Sequence, residues 1–316
     1  MSNNARPIVI VTEPLDPAAL EYLRSECDVR QIDKSELGEH ISDAEGLVVR
    51  TYTPVTAEVL KKAGRLKVVG RAGVALDNID VPACRAAGVE VVHTPEANTL
   101  AVVDHTVAMI LLMNRRFWPI TEPLTAEQFH KVRKQTFGRF VSSLTLGIVG
   151  AGRIGSRVGR AAAGLGMTVL YNDIRPIELD YSAREVDKPT LYSTSDIVTI
   201  HVPLTDLTRG LINADALGQF KPGAQFINAA RGECMDAAAV ADAVRSGRLA
   251  DAAIDTHNPE PPPADYPLFG LDNVILTPHI AARVPAAMRA MSDVVEDIVR
   301  VLRGESPAYP AAEGSY

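Results

Sequence analysis

Leu146-Gly147-Ile148-Val149 is an apolar run that leads straight into Gly150-Ala151-Gly152-Arg153-Ile154-Gly155, and a helical pattern follows at once. A Gly-x-Gly-x-x-Gly motif by itself is weak. Flanked by a strand and a helix, it is the arrangement that seats a dinucleotide. Gly150 permits the tight turn, Gly152 lets the backbone approach a pyrophosphate, and Gly155 lets helix pack closely on strand. The anion would rest on the free N–H groups of the helix N-terminus. Eighteen residues beyond Gly155 the next strand ends in Asp173. An acid there accepts hydrogen bonds from the adenosine ribose and repels the extra phosphate of NADP, so NAD is the expected cofactor. Arg175, two residues on, argues for NADP unless it is simply a solvated loop residue.

The rest of the chain alternates in the same way. Short β-branched runs at Ile8–Thr12, Gly46–Arg50, Leu66–Gly70 and Val89–His93 are separated by helical patterns at Pro17–Arg24, Ala57–Ala63 and Pro82–Ala87. A long helix is predicted from about Leu100 to about Arg116, then a polar, aperiodic arm over Phe117–Phe140. A second series has strands at Leu144–Val149, Thr168–Tyr171, Ile197–His201, Ala224–Asn228, Ala252–Asp255 and Val274–Thr277. Helices fall between them at Ile154–Leu165, Ala214–Gln219 and Ala237–Ser246, and one last helix is predicted over Pro285–Arg303. Continuous apolar strands interleaved with helices mean parallel sheets covered on both faces, an α/β fold. At 316 residues, 47% hydrophobic, the chain is expected to form two domains.

Composition removes several function classes. A net charge of −7, from 39 acidic and 32 basic residues, argues against nucleic acid or an anionic membrane as partner. No apolar run is long enough to span a bilayer, and the N-terminus lacks the layout of a signal peptide. The three cysteines, Cys27, Cys84 and Cys234, are far apart and form no Cys-x-x-Cys pair, so neither a disulfide framework nor a metal site is expected. The expected setting is the cytoplasm.

Three later strand ends carry polar groups. One strand runs into Asn228-Ala229-Ala230-Arg231-Gly232, another ends at Asp255 with Glu260-Pro261 shortly after, and a third ends Thr277-Pro278-His279. Ligands of open α/β sheets collect at the carboxyl ends of strands. An arginine, a glutamate and a histidine should therefore converge there. Any one of them alone would be read as a surface ion pair or a satisfied core group.

With these motifs in place the sequence resembles the D-isomer-specific 2-hydroxyacid dehydrogenase family over nearly its whole length. The matching segments are VGRAGVALDNID (69–80), ANTLAVVDHT (97–106), GIVGAGRIG (147–155), DIVTIHVPLT (196–205), INAARGECMD (227–236), the Asp255 to Glu260-Pro261 spacing and TPHIA (277–281). The resemblance implies two Rossmann-like, doubly wound parallel-sheet domains with the active-site cleft between them. The substrate domain would be discontinuous, residues 1–99 plus 285–316. The NAD domain would be 100–284, including the long helix and arm over 100–143. It further implies a homodimer held largely by that helix and arm. The implied activity is hydride transfer between NAD(H) and a D-2-hydroxy acid/2-oxo acid pair. Arg231 would clamp the substrate carboxylate, His279 would supply the proton, and Glu260 would orient His279 and favour its charged form. Beside Gly150, Gly152, Gly155 and Asp173, the cofactor residues implied are Arg153, Ile154, His201, Pro203, Thr208, Ala229, Ala230 and Asp255. Those implied for the substrate are Arg50, Thr51, Tyr52, the backbone N–H groups of Gly73, Val74 and Ala75, and Asn98.

The sequence departs from the family pattern at several places. Ala75 and Ala97 stand where glycine is common, Asp104 replaces a glutamate, Tyr52 is bulkier than usual, and His257 falls where phenylalanine is frequent. Pro261, Pro262 and Pro263 follow in a row. These departures bear on which acid is bound rather than on the reaction. Arg50 and Tyr52 either line the distal pocket or serve as a surface ion pair and a packed aromatic. A cofactor-sensing, co-repressor-like protein of the same fold is the alternative from another class. Such proteins usually carry disordered tails, whereas this chain ends within about ten residues of its last predicted helix. A formate or phosphite oxidiser is the alternative within the enzymes.

Overall fold

A computed structural model describes residues 6–115, 120–135 and 137–312 of the chain. They divide into two compact units, unit one within residues 1–99 and 282–316 and unit two within residues 100–281. In the first part of unit one the elements are β1 (Ile8–Val11), α1 (Pro17–Glu26), β2 (Asp28–Gln31), α2 (Leu37–His40), β3 (Gly46–Val49), α3 (Ala57–Lys62), β4 (Val68–Arg71), α4 (Val81–Ala86) and β5 (Glu90–His93). Unit two holds α5 (Thr99–Asn114), α6 (Ala126–Gln135), β6 (Thr145–Val149), α7 (Arg153–Gly164), β7 (Thr168–Asn172), β8 (Arg184–Glu185), α8 (Lys188–Thr194), β9 (Ile197–Ile200), α9 (Ala214–Gln219), β10 (Ala224–Asn228), α10 (Ala237–Arg245), β11 (Leu249–Ile254) and β12 (Val274–Leu276). The chain closes in unit one with α11 (Pro285–Ser292) and α12 (Val294–Leu302).

The helices start where the sequence supplies a cap. Asp16, Thr56, Asp80, Asp187, Asn213 and Asp236 each turn a side-chain oxygen onto a free N–H in the first turn of the helix that follows. The strands β3, β9 and β10 are buried at every residue, as both-face burial requires.

Every strand pair is parallel. The first sheet has the order β2-β1-β3-β4-β5 and the second β12-β11-β10-β9-β6-β7-β8. The order reverses between β1 and β3 in the first sheet and between β6 and β9 in the second. At such switch points the following loops leave on opposite faces and open a crevice at the carboxyl ends.

Two expectations need correction. The predicted last helix is two helices, broken at Asp293. The Ser292 hydroxyl donates to the Met288 carbonyl (2.9 Å) and accepts from the Asp16 N–H (2.9 Å), a back-bonded serine that bends the helix at this point. The arm is not aperiodic throughout, since α6 lies within it. Thr125 and Gln128 form a reciprocal capping box, with Thr125 N–H on Gln128 Oε1 at 2.8 Å and Gln128 N–H on Thr125 Oγ1 at 3.2 Å. The expected helix end at Arg116 and the arm's Phe117–Pro119 lie outside the described residues. The structure adds the strands β2 and β8 and the helices α2 and α8, which the sequence pattern does not signal. β2 is a polar edge strand with no apolar alternation, and α8 is a short helix entered through Asp187 and Pro189.

In unit one, Val294, Val295, Ile298 and Val299 of α12 pack against Val9, Val11, Val48, Val68 and Val92 of the sheet. The contact is close because β4 carries a glycine: a Cβ at Gly70 would stand 2.7 Å from Ile298 Cδ1. Beyond α12 the chain covers the β5 edge, with His93 N–H on Tyr309 O (3.1 Å) and Ala311 N–H on Val91 O (2.7 Å). Ile298 is fully buried. Ile298→Ala should therefore lower stability by about 2–5 kcal/mol in guanidinium unfolding, and a loss below about 1 kcal/mol would contradict this packing.

Candidate active site

The glycine loop after β6 has the geometry its motif demands. Gly150 adopts φ 89°, and a Cβ there would lie 2.7 Å from the His201 carbonyl oxygen. A Cβ at Gly155 would lie 2.0 Å from Gly150 O, so only glycine lets α7 seat on the strand. A Cβ at Gly152 would meet nothing within 4 Å. α7 also differs from the capped helices above: Gly152 begins it with no side-chain cap. Arg153, Ile154 and Gly155 thus form a first turn with no side-chain acceptor beneath an open backbone. That is the donor set and the space a pyrophosphate needs, so these residues fit a dinucleotide.

Asp173, just past β7, accepts the Ala151 N–H on Oδ2 (2.8 Å) and the Arg175 N–H on Oδ1 (3.0 Å). It ties the glycine loop to its own strand end and keeps lone pairs for further donors. After β9, His201 Nε2 meets Thr199 Oγ1 at 3.1 Å, and burial pushes the His201 imidazole down to about 4. It is neutral at neutral pH and does not compete as an acid. Thr208 Oγ1 donates to Pro203 O at 2.6 Å, closing the next turn. Ala229 and Ala281 pack with Val102 of α5 and with Ile154, drawing the loops after β6, β10 and β12 together.

The polar constellation sits at the same carboxyl ends. Asn228 holds the turn after β10, donating to Arg231 O (2.9 Å) and accepting from Ala230 N–H (2.9 Å), while Arg231 Nη1 donates to Ala230 O (2.7 Å). Gly232 brings that turn against the next loop: a Cβ on it would lie 2.1 Å from both C and O of His257. Glu260 Oε1 accepts the His257 N–H at 2.9 Å. His279 Nδ1 lies 2.8 Å from Glu260 Oε2 and 3.1 Å from Oε1. A carboxylate only accepts, so Nδ1 carries the proton and Nε2 is the nitrogen left for exchange.

His279 sits at φ 52°, a left-handed conformation uncommon outside glycine, so the surroundings must impose it. Buried Asp255 does so. Its Oδ1 accepts from Thr277 Oγ1 (2.6 Å) and Ile280 N–H (2.9 Å), its Oδ2 accepts from Ala281 N–H (3.0 Å), and its carbonyl accepts the His279 N–H (2.8 Å). His257 adds a brace, with Nε2 on Thr277 O at 2.9 Å and Nδ1 3.3 Å from Tyr266 OH. Gly232, Thr277 and the bracing role of His257 were not singled out from sequence. The close backbone approach at Gly232 has no local signal beyond the glycine itself.

The residues implied for the substrate lie in unit one. The Arg50 guanidinium donates to Pro14 O (2.9 Å) and Met288 Sδ (3.2 Å). Tyr52 is exposed, with Lys34 Nζ 5.6 Å from its ring centroid. Thr51 is exposed beside it. The Gly73 N–H is taken by Arg71 O at 2.8 Å, whereas the Val74 and Ala75 N–H groups meet no acceptor among the described residues. Asn98 Oδ1 is buried without a hydrogen-bond partner among them. Among the described residues no His/Cys/Asp/Glu group could hold a metal, and no helix is long and apolar enough to cross a membrane.

Burial raises the Glu260 pKa, but hydrogen bonds from His279 and the His257 backbone, with the charges of both histidines, outweigh it and hold the carboxyl below its ordinary 4.5. A depressed folded pKa stabilises the fold above the unfolded value and loses that contribution as pH falls through the folded one. Glu260→Gln should thus melt below wild type at neutral pH, and the gap should narrow below about pH 4.5. A gap constant from pH 7 to 3 would contradict the pairing.

The sequence profile described as "D-isomer specific 2-hydroxyacid dehydrogenase, NAD binding domain" matches residues 107–281. D-3-phosphoglycerate dehydrogenase of Archaeoglobus fulgidus is 37% identical over 94% of this chain and 57% of its own length, so the chain spans little more than half of that relative. Hydroxypyruvate reductase of Thermotoga maritima is 35% identical over 94% of this chain and 99% of its own. The structure of D-lactate dehydrogenase from Aquifex aeolicus, complexed with NAD and lactic acid, superposes with a TM-score of 0.81 at 27% identity, covering 94% of this chain and 96% of that one. With the parallel sheets and the glycine loop already described, these matches make the chain a member of the D-isomer-specific 2-hydroxyacid dehydrogenase family, with an NAD-binding domain over residues 107–281.

Proposed function

We propose that this protein reduces a 2-oxo acid to the D-2-hydroxy acid, or runs the reverse reaction, with NAD(H). The observation that carries the reading is the Glu260–His279 pair, with Nδ1 against both carboxylate oxygens and Nε2 left to exchange a proton. Unit two would hold the cofactor and unit one the acid. NAD, when bound, supplies or accepts the hydride. Arg231 binds the substrate carboxylate through its fork of N–H donors and polarises the neighbouring carbonyl. His279 gives a proton from Nε2 to the carbonyl oxygen in reduction and takes it back in oxidation. Glu260 keeps the imidazole in one tautomer and orientation, and Asp255 holds the turn that aims it. Asp173 favours NAD over NADP through the ribose.

The names of the relatives point to three-carbon acids. Hydroxypyruvate and 3-phosphohydroxypyruvate therefore head the substrate panel, followed by pyruvate and glyoxylate. A cytoplasmic homodimer is part of the proposal. Ile120, Phe137 and Phe140 of the arm are 59%, 80% and 81% exposed, large apolar side chains that a second copy could cover. The cysteines Cys27, Cys84 and Cys234 are buried thiols, which is compatible with a reducing compartment.

The panel should show loss of NADH absorbance with at least one acid. His279→Ala should cut the catalytic rate roughly 10²–10⁴-fold with NADH affinity unchanged, and near-normal turnover would remove His279 as the acid. Wild type should bind NADH more tightly than NADPH in a fluorescence titration, and Asp173→Ala should narrow the difference. A wild-type preference for NADPH would assign the choice to Arg175 instead.

A further inference from the structure

We propose that Glu13 is the positioning residue of the substrate loop, its carboxylate acting as a built-in anion that fixes Arg50–Thr53 and so helps set which acid is accepted. The proposal rests on the reading of that loop given above. Glu13 follows β1 and the loop follows β3, so the two face each other across the switch point of the first sheet. Four successive backbone N–H groups converge on the Glu13 carboxylate: Arg50 at 3.0 Å, Thr51 at 3.1 Å, Tyr52 at 3.1 and 3.2 Å to the two oxygens, and Thr53 at 3.1 Å. The Thr53 hydroxyl adds a fifth donor at 2.9 Å.

Converging N–H groups of this kind form an anion-binding concavity, and the switch point of a parallel sheet is where a ligand's anion commonly sits. Here the chain fills it with its own side chain. The carbonyl side of the loop is held as well, since Asn78 Nδ2 donates to Arg50 O at 3.0 Å and to Thr53 O at 2.7 Å. Thr53 Oγ1 also meets Thr12 Oγ1 at 2.8 Å.

Two consequences follow. The loop's N–H groups are unavailable to a substrate carboxylate, so the loop addresses the substrate through side chains, of which Thr51 and Tyr52 are exposed and Tyr52 is the large one. The placement of Tyr52 is fixed by the backbone beneath it, so freeing that backbone loosens selection by size without touching cofactor binding. Glutamine in place of Glu13 keeps the shape but turns an NH₂ toward N–H donors that need an acceptor.

The test combines amide hydrogen exchange on the peptide containing residues 50–53 with the kinetics of the 2-oxo acid panel. Wild type, Glu13→Gln and Glu13→Ala are compared, the last with and without added acetate. Exchange at these amides should quicken at least about tenfold in both variants, a change in local opening of ~1.4 kcal/mol. Acetate should slow it again in Glu13→Ala by refilling the nest. KM values for the acids should rise by about tenfold for the best substrate and less for poor ones, flattening the ranking, while NADH affinity stays within about twofold. Should Glu13→Ala fail to fold, the near-isosteric Glu13→Gln carries the comparison.

Unchanged exchange, or fast exchange that acetate does not slow, overturns the proposal. Fast exchange with an unchanged substrate ranking also overturns it, leaving Glu13 a cap with no part in specificity. A wild type that reduces no 2-oxo acid overturns the proposed function instead, and exchange and acetate rescue then decide on Glu13 by themselves.

Discussion

Parallel pairing with both faces buried is the constraint on which everything else depends. A parallel strand cannot be joined to its neighbour by a hairpin, so each strand is followed by a crossover, and helices cover both faces. Strands such as Ile197–Ile200 and Ala224–Asn228 are buried at every position and have little room for reactive groups. Function is pushed to the loops at their carboxyl ends. The glycine loop, Asp173, His201, Arg231, Asp255, Glu260 and His279 all lie there, and so in the other unit do Glu13 and Arg50.

Loops at strand ends pose a second problem, because their backbone N–H groups have left the sheet ladder and must find acceptors. This protein answers it repeatedly with a carboxylate. Asp173 takes two loop N–H groups, Asp255 takes two and a hydroxyl, Glu13 takes four and a hydroxyl, and in the segment after α12 Asp297 likewise takes those of Ala308 and Tyr309. Hydrogen bonds to a charged acceptor contribute roughly 1.5–3 kcal/mol each, enough to offset the partial burial of one charge that several donors share. Glu260 repeats the device, with the His257 backbone N–H and the His279 imidazole sharing its oxygens.

The imidazole's placement is a collective product. The positive φ at His279 is held by a carbonyl and a carboxylate of the same residue, Asp255, and by the His257 ring on Thr277 O. Histidine in place of the phenylalanine frequent at position 257 thus has a structural account in this chain: it ties the turn before His279 to Tyr266. Gly232 completes the arrangement by letting the Arg231 turn rest on the backbone at His257.

Periodicity and turn chemistry determined the apolar sheet strands, most of the longer helices and the glycine loop, because those signals are local: a run of β-branched residues, an aspartate before a helix, glycines where a Cβ would collide. They also marked Arg231, Glu260 and His279, since each stands at a strand end in a patterned segment. The polar edge strand Asp28–Gln31 has no such signal, and the capping box at Thr125 opens a helix in a polar stretch with few apolar residues to mark a period. The break at Asp293 follows Ser292, whose hydroxyl also accepts the N–H of Asp16, a partner 276 residues away in sequence. Glu13 over the loop at 50–53, Gly232 against His257 and Asp255 beneath Ile280 and Ala281 likewise join segments distant along the chain. A hydrogen bond between remote residues leaves no period in the sequence, so tertiary structure alone decided which carboxylate orders which loop.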